Sequence, residues 1–114
     1  FNANIFPKVI CVEYNAKWGI NANVKVNYEP SFVWAGDDYT SVSINTWQTL
    51  FATYNYTLLC CDMAGNNAFF IRNDYKHLFT LYSSQQLYQP ARYYLTRRRS
   101  GHPSTLKMLK DIVQ

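Results

Sequence analysis

The sequence predicts an α/β fold, and three stretches carry the prediction. Lys8-Val9-Ile10-Cys11-Val12-Glu13-Tyr14 contains a continuous apolar run, the pattern of a strand covered on both faces. Ile44, Trp47, Leu50, Phe51 and Tyr54 recur at helical spacing, which gives one apolar helix face. Two apolar runs, Leu58 to Cys61 and Ala68 to Ile71, flank a short turn at Ala64–Asn67 and predict a β-hairpin. Strand, helix and hairpin in that order describe part of a sheet with a helical layer.

The totals fit one core. The chain has 114 residues, enough for a single domain or a domain fragment. Its core is expected at about 7–82, with a tail at 83–114. Aromatic residues make up 18% of the chain, with ten tyrosines and seven phenylalanines, so large side chains are at hand for burial and an ordered body is expected. The net charge is +4, and much of the excess sits in Arg97-Arg98-Arg99, so it describes the tail and not a broad basic surface. No apolar run approaches the ~20 residues of a membrane helix. No charged segment followed by an apolar one marks a secretion signal. The chain begins at Phe1 and not at Met, so a preceding natural segment is expected. Cys11, Cys60 and Cys61 lie in apolar runs and read as small buried hydrophobes in a reduced, cytoplasmic protein.

Each element has its own warrant. Pro7 precedes the first strand, which ends in the polar residues Glu13, Asn15 and their neighbour Tyr14. The segment from Ala16 to Tyr39 is long and irregular; Gly19, Pro30, Gly36 and four asparagines with Asn15 punctuate the region. Val24, Val26 and Tyr28 alternate with polar residues and suggest a short edge strand. Trp18, Phe32, Trp34 and Tyr39 make this loop either a lid over a pocket or a segment that packs its own aromatics. Asp38, Thr40 and Ser41 are the N-cap candidates for the helix, which should end near Tyr54–Asn55. In the hairpin turn Gly65 supplies positive φ, and Asn66 and Asn67 tolerate it. Asp74 is placed to cap a helical turn from Tyr75 to Leu81. Tyr82 to Gln89 reads as polar linker. Ser104 then caps a last amphipathic helix through Leu106, Leu109, Ile112 and Val113.

One buried strand and one long helix do not close a doubly covered sheet, so more strands and another layer are expected from elsewhere. The blocks Pro7 to Asn15, Phe32 to Tyr39 and Gly65 to Asp74 together resemble the C-terminal half of FkbM-type, S-adenosylmethionine-dependent, Rossmann-like methyltransferases, proteins of sugar and surface-polysaccharide gene neighbourhoods. The resemblance spans Pro7 to Pro103 as ordered blocks. It implies a fold in which a parallel strand, a helix and a terminal antiparallel hairpin close the sheet. It also implies methyl transfer to a sugar or other small polar acceptor. Such proteins hold the cofactor on a glycine-rich turn, yet Gly19, Gly36, Gly65 and Gly101 are isolated. The S-adenosylmethionine would therefore be held mainly by a missing N-terminal half of the same protein.

Candidate site residues follow from position and chemistry. Glu13, at the carboxyl end of the first strand, is a candidate base for a hydroxyl proton, or a carboxylate that bonds a neighbouring loop. His102 has the pKa range for proton transfer and is the second catalytic candidate, or an exposed loop histidine. Asn15, Trp34, Asp38, Tyr39 and Asn67 are candidates for acceptor binding. Asp38 serves equally as a helix cap, and Asn67 as a turn residue. Two other functions compete. One is a non-catalytic interaction module with a degenerate half-fold. The other, ranked last, is a nucleic-acid binder using Arg97–Arg99 and Tyr93 and Tyr94, with Phe69 and Phe70 as stacking rings. The paired phenylalanines argue against it, because adjacent strand residues point to opposite faces.

Overall fold

The computed structural model describes residues 4–92. The expected C-terminal helix, the arginine run and His102 lie outside them. The fold is α/β, built on a three-stranded sheet with spatial order β1-β3-β2. Strand β1 is Val9–Glu13, helix α1 is Ile44–Ala52, β2 is Tyr56–Cys61, and β3 is Asn67–Arg72. A 3₁₀ turn at Ala16–Trp18 follows β1, a second at Asn73–Leu78 follows β3, and a short helix α2, Ser84–Leu87, comes last. No helix among the described residues is long and apolar enough to cross a membrane.

Strand β3 is antiparallel to both neighbours. Strands β1 and β2 therefore run parallel to each other, joined through α1, with β3 inserted between them. Register fixes the faces. Ile10 pairs with Phe70, Val12 with Ala68, and Leu58 with Phe70, so these residues share one side. That side is the core. Phe70 and Ala68 are fully buried, and α1 presses Ile44 and Phe51 against them, with Phe51 and Phe70 rings 4.7 Å apart. Trp47 stacks on Phe51 along the helix, with centroids 5.3 Å apart. Leu50, expected on the same face, is 42% exposed because it sits at the flank of the stripe.

The opposite face differs from the expectation of a sheet covered twice. Val9, Cys11 and Glu13 of β1 point there, opposite Ile71, Phe69 and Asn67, and all three β1 residues are exposed. Strand β1 is thus an edge strand with one open face and not a central one. The apolar run could not reveal this, because its composition reports what the strand is suited to touch and not whether a neighbour is present. Cys11 and Cys60 are exposed and Cys61 is half-buried, so the cysteines are free but not the buried set expected. Cys60 turns outward beside a β-bulge between Leu58 and Cys60, which breaks the run's alternation. Only β3 approaches burial on both sides, through Phe70 and Ile71.

Several local expectations are corrected. The helix cap is Ser43, whose Oγ accepts from the Thr46 N–H, and not Asp38, Thr40 or Ser41. The helix ends at Ala52, and Asn55 turns the chain at φ 62°. Val24, Val26 and Tyr28 form no strand; Lys25 makes an isolated bridge to Val42. In the hairpin turn only Gly65 takes positive φ, at 74°, while Asn67 already belongs to β3. The expected linker holds α2, and Leu87, Tyr88 and Ala91 pack against the core.

Candidate functional site

The carboxyl ends of β1 and β2 lie at the same rim of the sheet, because the two strands are parallel. The hairpin turn lies there too. Glu13 and Asn67 are cross-strand partners at this rim, on the open face. The Asn67 side chain donates to Asp62 Oδ2 at 2.9 Å, and Asp62 Oδ1 accepts from the Asn66 N–H at 2.8 Å. Asp62 thus fixes both the turn and the amide of Asn67. Glu13 is anchored by its backbone: its carbonyl accepts from Trp47 Nε1 at 2.8 Å and from Ser41 Oγ at 2.9 Å. Its carboxylate stays exposed. Ser41 holds φ at 60°, a conformation uncommon for a residue with a side chain.

Asn15 and Asp38 meet, but they form a joint and not a binding surface. Asn15 is buried; its Oδ1 accepts from the Lys17 N–H, and its Nδ2 donates to the carbonyls of Asp38 and Thr40. The Asp38 carboxylate is fully buried and pairs with Lys17 Nζ at 2.9 Å. These contacts tie the long loop to the 3₁₀ turn after β1. Lys17 was missed in the sequence, although an Asn two residues ahead of it signals an Asx-type turn. Trp47 and Ser41, which hold Glu13, had no sequence signal beyond helix periodicity and cap chemistry.

Trp34 and Tyr39 belong to the outer part of that loop. Trp34 is half exposed, with its Nε1 donating to the Asp37 carbonyl at 2.8 Å. The Tyr39 N–H donates to Asp37 Oδ1, and the Tyr39 ring lies 6.1 Å from Phe32. Tyr28 and Val33 project at 90% and 83% exposure. The loop therefore packs some of its aromatics and presents others. A shallow groove of about 480 Å³ lies elsewhere, on the flank of α1, lined by Asn23, Lys25, Thr46, Thr49, Leu50 and Thr53. None of the candidate residues lines it.

A titrating cluster sits below the rim. Tyr14 is buried, donates to the Gln89 carbonyl at 2.8 Å, and lies 6.2 Å from the Tyr88 ring. Burial first, then the neighbouring Cys61, raise its pKa far above the tyrosine range. Burial likewise raises Cys61 and Tyr88. All three groups are neutral in the folded state where the unfolded chain would begin to ionise. Their contribution is complete below the unfolded values of about 8.5 for cysteine and about 10 for tyrosine, and falls as pH rises past them. Urea unfolding should therefore show a steady loss of stability above about pH 9, and Tyr14→Phe should flatten it. A stability that stays level to pH 11 would contradict this.

No family model, curated protein or solved structure matches the chain. Among the described residues, no group of three or more histidine, cysteine or acidic side chains is placed to hold a metal. The turn after β1 does not fit a nucleotide cofactor either. Its amides are used internally: Lys17 N–H on Asn15 Oδ1, Trp18 N–H on the Asn15 carbonyl, and Gly19 N–H on the Ala16 carbonyl. A phosphate or carboxylate would have to compete with these bonds for the three amides.

Proposed function

We propose that the chain is the acceptor-side, C-terminal portion of a Rossmann-like, S-adenosylmethionine-dependent methyltransferase of the cytoplasm, acting on a sugar or another small polar acceptor. The observation that carries this proposal is the sheet connection. Strands β1 and β2 run parallel through the helix α1, and β3 returns antiparallel between them. Where strands of one sheet run parallel through a helix, ligands gather beyond the carboxyl ends of those strands. Glu13, Asn67 and Asp62 stand at that rim.

The chain's own residues divide the work. Glu13 presents an exposed carboxylate that can take the proton an acceptor hydroxyl loses on alkylation. Asn67, held by Asp62, offers amide hydrogen bonding to a neighbouring hydroxyl. Trp34 and Tyr39 offer aromatic faces from the loop. The cofactor is assigned to an N-terminal half of the same protein, since the turn after β1 spends the amides of Lys17, Trp18 and Gly19 on its own residues.

Calorimetric titration of S-adenosylmethionine into the chain and into the longer gene product tests the proposal. Heat is expected with the long form alone. In that form Glu13→Gln should lower methyl transfer by about 10²–10⁴-fold without changing cofactor affinity. Absence of binding to either form would overturn the proposal and leave the interaction module, which the open sheet face also favours.

A further inference from the structure

We infer that the groove on the flank of α1 is a binding site for a neutral saccharide, a site apart from the rim residues and independent of the methyl-transfer reading. Two walls bound it, and each has a cause. One wall is the helix, where Thr46, Thr49 and Thr53 fall at i, i+3 and i+7 with Leu50 beside them. The other is the strip of residues 23–25, tied along the start of the helix. The Ser43 N–H donates to the Val24 carbonyl at 2.9 Å, the Val24 N–H to Ser43 Oγ at 3.0 Å, and Asn45 Nδ2 to Asn23 Oδ1 at 2.9 Å. Lys25 then bridges to Val42. The space between the walls is about 480 Å³, within the range of small-ligand sites.

The hydrogen bonds decide what the groove accepts. Ser43 Oγ has one proton and gives it to the Ala22 carbonyl at 2.6 Å, so the 2.9 Å bond between the Ser43 and Thr46 hydroxyls is donated by Thr46. Thr49 Oγ1 donates to the Asn45 carbonyl at 3.0 Å, and Thr53 Oγ1 to the Leu50 carbonyl at 2.7 Å. All three threonine protons are thus spent on the helix and its cap, and this wall offers oxygen lone pairs alone. The strip offers the reverse. Asn23 Oδ1 is taken by Asn45, which leaves the Nδ2 donors. Lys25 is exposed, and no acidic group among the described residues pairs with it. Leu50, 42% exposed, adds an apolar patch. A phosphate or sulfate brings acceptor oxygens and would face the threonine lone pairs. A cation would meet the Lys25 ammonium, with no carboxylate in the lining to offset it. A ring of hydroxyls donates to one wall, accepts from the other and lays its C–H groups on Leu50. That is the chemistry of a sugar.

Methyl-detected NMR of the 114-residue chain tests the inference, with the methyl glycosides of glucose, galactose and mannose as probes. At least one should shift the Thr46, Thr49, Thr53 and Leu50 methyl signals together and saturate with a dissociation constant of roughly 1–10 mM. Thr49→Val keeps the shape and loses the acceptor oxygen, so it should weaken that probe by about 5-fold, and Thr49→Ser should restore it. Lys25→Met should weaken it similarly, whereas Lys76→Met, which removes the same charge outside the groove, should not. The methyl signals of Ile44, a core residue, report that each variant is folded. No shift with any glycoside would overturn the inference. Equal shifts with cyclohexanol would overturn it too, since they need only Leu50. Sulfate moving these signals while the glycosides do not would overturn it by making Lys25 an anion site. Neither Glu13 nor Asn67 lines the groove, so loss of this site leaves the methyltransferase proposal standing, and absence of cofactor binding leaves this site standing.

Discussion

Lys17→Met should cost the fold about 3 kcal/mol, and Asp38→Asn clearly less. The two partners lie 2.9 Å apart, but they are not equally placed. The Asp38 side chain is wholly buried, whereas the Lys17 side chain keeps 19% of its exposure. Removing the ammonium takes the cationic partner from a fully buried carboxylate, so more of its desolvation penalty goes unoffset. Removing the negative charge leaves an ammonium on a flexible stem that can turn toward solvent. The asymmetry separates two views of Asp38. As an acceptor-binding group it would matter for substrate affinity and little for stability. As the buried half of a joint between the loop and the turn after β1, it matters for stability first. Urea unfolding of both variants decides. Equal and small losses would contradict the buried-joint account.

What was legible in the sequence was local. Periodicity located α1, since Ile44 and Phe51 meet the sheet whatever lies beyond it. The hairpin was legible because Gly65 and its asparagines separate two β-rich runs. The order strand, helix, hairpin then gave the α/β class. The faces were not legible. Val9 and Cys11 read as buried because apolar residues without alternation suit a covered strand, yet exposure depends on neighbours that a strand's own letters do not encode. The run Leu58 to Cys61 misled for a second reason: a bulge rotates Cys60 outward, and a bulge has no composition.

The site divides in the same way. The place of the candidate Glu13 at a strand end was legible, and the candidate Asn67 lies opposite it through register alone. Asn15 and Asp38 were picked out as polar residues beside that end, but their chemistry is spent inward, on Lys17 and on loop carbonyls. A short polar side chain near a crevice can serve a ligand or its own backbone. Only the partners decide between them, and the partner Lys17 is Asp38's neighbour in space across 21 positions of chain. Trp47 was read as a core residue. It is also the donor that fixes the Glu13 carbonyl, a double use that helical spacing does not announce.

Gly65→Ala should be the more damaging of two glycine substitutions, at about 3 kcal/mol against about 1 kcal/mol for Gly36→Ala. Both glycines hold left-handed backbone, Gly65 at φ +74° and Gly36 at φ +78°, so the conformational strain of adding a methyl is shared. Their surroundings differ. A Cβ on Gly36 would meet nothing within 4 Å, whereas one on Gly65 would stand 2.3 Å from the Pro90 carbonyl oxygen and 2.7 Å from that of Gln89. Both contacts are backbone, so no side chain can swing away. The segment carrying them would have to lift. It is held by the Arg92 N–H on the Ala64 carbonyl at 2.7 Å, by Tyr14 on the Gln89 carbonyl and by Tyr88 on the Ala16 carbonyl. Lifting it also uncovers Leu87, Tyr88 and Ala91, which cap the core where α1 does not reach. The variant should therefore lose stability and the alkaline sensitivity of Tyr14 together, because the same segment buries that hydroxyl. Equal urea midpoints for the two variants would show that the turn's φ, and not the close approach of residues 89–90, is what requires glycine.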